Sequence, residues 1–455
     1  MNNNPNVTLI DAGAASERLW ASAARISTTM GSALDIYQRP AEAQKDRKLI
    51  EKVLLSGHRS FLEHAKFTFA FSNVSALVEQ FFIEFRLASF TVKSRRYVDF
   101  SQSGYYIPPD LDDESASLYT KHMDYLFKEY NGLVGDGIPL EDARFVLPYC
   151  FCSNFYCSVN ARELVRMLRA IKYGRGRNIP ELAEIYSQIT AQLEGVFPNL
   201  MSEITREKED CGRDISCRFD SVPVNAAEVR GSSELISCTH DAGHVLDIAQ
   251  SLLLKGSDTG LDAGNDDPVS FAPLSPRVME NISATFVVRN ISLSAITHFA
   301  RHRIQSLVIP PFQRARLDRY ITPESVLKKP ETERRYRKVF ETNIMIIKQL
   351  RERQFPNELY LCLSGNTLDI VTTMNARQCQ LFFNLRCCNR AQWEIQNIAV
   401  DMLRSLRGIQ PGIYDQMGPS CYPGGICPEG KLSCGESEAM NMRFKSGNIE
   451  VSINK

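Results

Sequence analysis

The chain carries one pattern twice. HAKFTFAFSNVSALVEQFFIEFR, starting at His64, is echoed by NISATFVVRNISLSAITHFARHR, starting at Asn281, 217 residues later. SVNARELVRMLRAIK, starting at Ser158, is echoed by TMNARQCQLFFNLRC, starting at Thr373, 215 residues later. Chance matches between short apolar stretches would not keep so nearly constant a spacing, so the chain reads as a tandem duplication. A weaker pair, VTLIDAG from Val7 and ELISCTHDAG from Glu234, opens the two copies. Each copy has the length of an ordinary domain. The first repeat is set at 1–220, a linker rich in Pro, Asn, Gly and Ser at 221–233, and the second repeat at 234–455.

The local patterns predict a mixed architecture. Phe67 to Phe71 and its counterpart Ala284 to Val288 alternate as strands do. Val74 to Ala88 and Ser292 to Ile304 repeat apolar residues every three or four positions and read as helices. Ala161 to Ala170 reads as a helix, and Ala376 to Met402 as one long helix ending before Gly408 and Pro411. Lys255 to Pro276, rich in Gly, Asp, Asn and Pro, reads as a long surface loop. The class is α+β: two tandem domains, each with a β-sheet and long helices, forming a pseudo-symmetric pair.

Charge narrows the ligand. Lys plus Arg equals Asp plus Glu at 53 each, so no global field draws the protein to a nucleic acid polymer or an anionic membrane. The Arg residues nevertheless cluster between Arg301 and Arg319, which suits a small anion. No signal peptide or membrane span is expected, and cytoplasm is the expected compartment. The 13 Cys are too few for a disulfide scaffold and are expected as free thiols or metal ligands. Cys421, Cys427 and Cys434 are expected as unliganded thiols of a surface-turn segment; a structural zinc site, with Cys387 or Cys388 as a fourth ligand, is the alternative. Cys238, His240 and His244 read as part of an ordinary opening strand.

Arg301-His302-Arg303 is followed by Ser306, then Val308, Pro311 and Gln313. The first copy has Glu84 and Phe85, then Arg86, Ser89, Thr91, Ser94, Arg96 and Tyr97. Together these segments resemble the flavin-dependent thymidylate synthases, whose signature is Arg-His-Arg, two residues, Ser, one, Asn, two, Ser, one, Arg. Neither copy is complete, and their union lacks only the Asn. His58-Arg59-Ser60 with Glu63-His64 is similar to the family's flavin-contacting segment. Glu141 to Pro148 is similar to the stretch whose Arg contacts the nucleotide, and Asn384 to Ile395 to the late helix whose Arg binds the uracil ring.

The resemblance implies roles. Ser94, Arg95 and Arg96, with Arg144 beside them, would hold the phosphate of a pyrimidine deoxynucleotide monophosphate, and Arg386 would face the ring, with Arg301 also on the substrate. Ser94 and Arg386 are the residues assigned to catalysis. FAD would contact His58, Ser60, Glu63, Arg301, His302, Arg303 and Asn375. In the family tetramer these motifs come from different subunits, and here the intact ones divide between the copies in the same way. One working composite site and one ruined one per chain follow, in a homodimer that reproduces the tetramer. The implied reaction is reductive methylation of dUMP to dTMP with methylenetetrahydrofolate and NADPH, a methyltransferase and oxidoreductase activity of nucleotide biosynthesis. The missing Asn and the divergent Ile309-Pro310-Pro311 segment leave two alternatives: a related enzyme modifying another pyrimidine nucleotide, or a non-catalytic flavin or nucleotide binding homologue.

Overall fold

The alternation at Phe67 becomes a strand with a duplicated defect. The computed structural model describes residues 4–13, 17–40, 42–109, 111–206, 216–255, 274–446 and 449. In it β1 (Asn6–Asp11), β2 (Lys66–Ser75), β3 (Ala88–Val92) and β4 (Cys152–Asn160) form an antiparallel sheet in the order β1-β2-β4-β3. A second sheet contains β5 (Ala227–Glu228), β6 (Ser232–Cys238), β7 (Ser283–Ser292), β8 (Ser306–Val308), β9 (Arg316–Tyr320) and β10 (Asn366–Asn375). Its order is β5-β9-β10-β7-β6, with β8 also on β10. The run β6-β7-β10-β8 thus repeats β1-β2-β4-β3.

The repetition extends to a bulge. Register slips between Phe71 and Val74 in the first sheet and between Leu368 and Ile370 in the second. At these points Asn73 and Asn290 take φ of 56° and 51°. Asn enters the left-handed region at low cost, and each bulge is tied by a side chain. The Asn73 N–H donates to Asn154 Oδ1 at 2.9 Å, and the Asn290 N–H to Asp369 Oδ1 at 2.7 Å.

Two expected helices are shorter than their apolar pattern. The first runs only Ala76–Ile83, capped by the Ser75 hydroxyl on the Val78 N–H, and Ala88 already belongs to β3. The second runs Leu293–Ala300, capped by Ser292. Ala161–Lys172 forms as expected. The single helix expected over Ala376 to Met402 is two, Ala376–Arg386 and Trp393–Ile409. The second of these starts afresh because the Gln392 side chain accepts from the Ile395 N–H, a capping function that its composition hides. Residues 256–273 of the expected surface loop lie outside the described residues.

The chain divides into two compact units. The first comprises Met1–Ala226, Pro311–Asp318 and Thr322–Asn366, and the second Ala227–Pro310, Arg319–Ile321 and Thr367–Lys455. The middle of the second repeat therefore folds within the first unit, where it pairs with its own counterpart. Pro148 and Leu363, 215 residues apart like the sequence repeats, form an isolated antiparallel bridge. Around it the Tyr149 N–H donates to the Cys362 carbonyl at 2.8 Å, and the Ser364 N–H to the Leu147 carbonyl at 2.9 Å. The Cys150 N–H donates to Tyr360 and the Gly365 N–H to Phe145. Each bond maps onto its partner when the copies are exchanged, the arrangement of an isologous two-fold contact. Gly365 is required there: a Cβ would lie 2.8 Å from the Phe340 ring and 3.1 Å from the Phe145 carbonyl.

Beside this pseudo-axis two 23-residue helices, Asp113–Gly135 and Pro330–Glu352, pack together. His122 is 3% exposed, and its Nε2 lies 2.8 Å from Asn343 Oδ1. The Asn343 Nδ2 donates to the Leu361 carbonyl, so its oxygen faces the ring and Nε2 carries the imidazole proton. Burial lowers the His122 pKa to about 4, against a smaller upward pull from Asn343. The unfolded chain therefore takes up this proton first. Stability from this group is complete above about pH 6.5 and declines toward pH 4, by roughly 3 kcal/mol in all. Melting temperatures of wild type and His122→Gln between pH 7 and pH 5 should diverge, the wild type falling faster; parallel curves would dismiss the assignment.

Candidate functional site

In the first unit the sequence places three guanidinium groups around one short turn. β3 ends at Val92, and the turn that follows presents Ser94, Arg95 and Arg96, with the Arg96 N–H donating to the Ser94 hydroxyl at 3.3 Å. Arg95 is 7% exposed; its Nη2 donates to Glu79 at 2.6 Å, and Ser153 donates to the other Glu79 oxygen at 2.5 Å. Its guanidinium also lies 5.0 Å from the centre of the Phe151 ring. Arg96 Nε pairs with Glu141 at 2.5 Å. Arg144, 3% exposed, donates from Nε to the Glu141 carbonyl at 3.0 Å. Burial first, and then the cation of Arg95, lower the Arg144 pKa to about 10. Among the described residues Arg95 Nη1 and Arg144 Nη2 are buried without a hydrogen-bond partner. Of the counter-ions of this cluster, Glu141 opens the stretch that contains Arg144, whereas Glu79 carries no motif in the sequence.

His58, Ser60 and Glu63 lie on one stretch around the 3-10 turn Ser60–His64, and all three are exposed. Glu63 pairs with Arg162 at 2.5 Å.

In the second unit the Arg-His-Arg triplet follows the helix Leu293–Ala300, with Arg301 as its C-cap residue. Arg301 and Arg303 are exposed, whereas His302 between them is 5% exposed. Arg386, in the last turn of its helix, donates from Nε to His302 Nε2 at 3.0 Å and from Nη2 to the His298 carbonyl at 3.3 Å. Burial, followed by the Arg386 cation, lowers the His302 pKa to about 3. The imidazole is neutral under ordinary conditions and acts as an acceptor. Asn375 is used locally as a helix cap, its Oδ1 accepting from the Gln378 N–H at 2.8 Å. The Gln378 side-chain nitrogen Nε2 lies 3.1 Å from His302 Nδ1. Gln378 was not singled out by the sequence, where it is one polar residue on an otherwise unremarkable helix.

The degenerate positions are filled from within. In the first copy, Glu84, Phe85 and Ile171 stand where the second has Arg301, His302 and Arg386. There Arg175 pairs with Glu84, donates to the Phe81 carbonyl at 3.0 Å, and lies over the Phe81 and Phe85 rings at 4.7 and 5.3 Å. Ile171 is 2% exposed. The second-copy equivalent of Arg144 is Leu359, also 2% exposed, beside Glu358, which Arg351 holds by two bonds at 2.7 and 2.5 Å. Neither set offers a buried cation to a ligand.

Burial first, and then the neighbouring thiols of the tail, push the Cys388 and Cys421 thiols up. Cys388, Cys421, Cys427 and Cys434 are thus neighbours. Among the described residues, however, no three His, Cys, Asp or Glu side chains are placed to hold a metal ion. No helix among the described residues is long and apolar enough to cross a membrane.

Known proteins give these arrangements a relation. The family described as thymidylate synthase complementing protein matches residues 8–199 and 274–412. The flavin-dependent thymidylate synthase of Geobacter sulfurreducens is 35% identical over 184 residues, 38% of this chain and 76% of that protein. Those of Clostridium tetani and Saccharolobus solfataricus are 32% and 33% identical, over 38% and 42% of this chain and 76% and 78% of theirs. Among solved structures, a UMP/dUMP methylase PolB from Streptomyces cacaoi bound with 5-Br dUMP is 24% identical with a TM-score of 0.38, covering 45% of this chain and 96% of that one. With the family matched in two stretches that together span well over half of its length, the chain belongs to the thymidylate synthase complementing proteins, the flavin-dependent thymidylate synthases.

Proposed function

We propose that this chain reductively methylates dUMP to dTMP, using FAD, methylenetetrahydrofolate and NADPH, as a cytoplasmic homodimer whose copies are 1–220 and 234–455 joined by 221–233. The observation that carries this reading is the pair of buried guanidinium groups, Arg95 and Arg144, each with one nitrogen that no described residue satisfies. Leaving such a donor buried and unbonded costs about 1–3 kcal/mol. Three arginines face Glu79 and Glu141, with Asp142 also beside Arg144. A phosphate dianion supplies the missing acceptors. In this reading Ser94, Arg95, Arg96 and Arg144 bind the phosphate, and Arg386 faces the pyrimidine, where a fixed cation stabilises charge developing on the ring.

The remaining donors fit an anionic dinucleotide. Arg301 and Arg303 are exposed cations, and His58 and Ser60 are exposed polar groups. Glu63 turns from Arg162 to take part, and Asn375 keeps its Nδ2 for a ligand while Oδ1 caps the helix. When bound, the flavin supplies the hydride, for which the protein has no side chain of its own.

Product analysis is the test. Purified full-length chain with FAD, NADPH and methylenetetrahydrofolate should convert dUMP to thymidylate and bind one nucleotide per chain. Preferential consumption of another pyrimidine nucleotide such as dCMP would move the chain to a related methylase. Retained flavin with no nicotinamide oxidation would make it a binding protein.

A further inference from the structure

We infer that Gln378 is a positioning residue: its side-chain oxygen holds His302 in the tautomer that accepts from Arg386, and so fixes the guanidinium that faces the ring. The inference rests on the proposed role of Arg386 for its functional consequence, and on the hydrogen bonds alone for its structural part. Arg386 Nε lies 3.0 Å from His302 Nε2 and is a donor in every protonation state. Nε2 is therefore the bare nitrogen. A neutral imidazole has one proton, which then sits on Nδ1 and points at the Gln378 side-chain nitrogen Nε2, 3.1 Å away. Two N–H groups face to face would repel, so the terminal amide is turned with its oxygen in the place of Nε2 and accepts from Nδ1.

The chain of contacts is closed at both ends. Gln378 is 4% exposed, and its backbone N–H is held by Asn375 Oδ1. The His302 ring is wedged against Phe382 with centroids 5.0 Å apart. Arg386 is tied by Nη2 to the His298 carbonyl. With Nδ1 fixed by Gln378, Nε2 can only accept, so Arg386 Nε is drawn to one place and the plane of the guanidinium is set. Without an acceptor at Nδ1 a buried N–H is left unpaired there, which favours the other tautomer, whose Nε2 proton opposes the Arg386 N–H and releases the cation. A misdirected transition-state contact of this kind lowers kcat by about a hundredfold, while the phosphate contacts, made by other residues, keep the nucleotide KM within about threefold.

Nitrogen NMR of full-length protein labelled with ¹⁵N-histidine decides the structural part without any substrate. Only seven histidines are present, and His302 is assigned by its loss in His302→Gln. Wild type should show His302 protonated at Nδ1 and bare at Nε2. Gln378→Met, similar in shape but without an acceptor, should shift it toward the Nε2 proton, and Gln378→Glu, which keeps an oxygen, should restore the wild-type signals. A wild-type Nε2–H tautomer, or Gln378→Met with unchanged signals, overturns the inference. Turnover then reads its consequence: Gln378→Met should lose kcat with little change in KM, and Gln378→Glu should recover most of it. The tautomer changing as stated with kcat unmoved overturns the positioning role. If wild type forms no thymidylate at all while the NMR result holds, the proposed function fails and the tautomer assignment stands.

Discussion

Arg386→Ala should lower thymidylate formation by about a hundredfold or more, a loss of roughly 3 kcal/mol of transition-state stabilisation. Two effects add. The cation assigned to the ring is removed, and His302 Nε2, buried 3.0 Å from Arg386 Nε, loses its donor. The second effect raises the His302 pKa, because the Arg386 charge is the next cause after burial of its depression. Arg386→Lys should recover little, since an ammonium cannot donate to Nε2 and to the His298 carbonyl from one rigid plane. Ile171→Val, at the corresponding place in the first copy, should cost only about 1 kcal/mol of stability and leave the rate unchanged. Steady-state kinetics on the three variants, with melting temperatures, provide the check. Equal losses of rate from Arg386→Ala and Ile171→Val would contradict the asymmetry between the copies.

Arg144→Leu should move binding and stability in opposite directions. Nucleotide affinity should fall by about 3 kcal/mol, roughly 150-fold, because a buried charged contact to the phosphate is lost. The fold itself should not suffer. Arg144 is 3% exposed, one of its nitrogens is unsatisfied among the described residues, and Arg95 repels it. Exchanging a poorly compensated buried ion for a packed apolar group is commonly neutral or stabilising by about 1–4 kcal/mol. A melting temperature equal to or above wild type, with affinity for dUMP largely gone, is the expected pair of readings by calorimetry. A variant that melts several degrees lower and binds as before would make Arg144 a structural residue.

How far the sequence carries depends on what kind of group does the work. The duplication was readable because β2 and β7 keep the same alternation and because Asn73 and Asn290 code the same bulge. The arginines were readable because each belongs to a motif several residues long. Helix ends were not, since Ser75, Ser292 and Gln392 act through one side-chain bond that composition does not reveal. Glu79 and Gln378 were invisible for a related reason: their importance lies in a partner brought close only by the fold, Arg95 in one case and His302 in the other. Burial pushes the Cys388 and Cys421 thiols up, a packing effect that the spacing of the tail Cys residues does not reveal.

The reciprocal bonds around Pro148 and Leu363 join segments that separately made copies would have to bring together by collision. Covalent fusion turns that encounter into an intramolecular one, so dilution cannot separate the two segments and the joining entropy is already supplied by the chain. Freed from the need to be identical, the two faces of such a contact can drift independently. Leu359 opposite Arg144, and Ile171 opposite Arg386, record how unequal that drift has become.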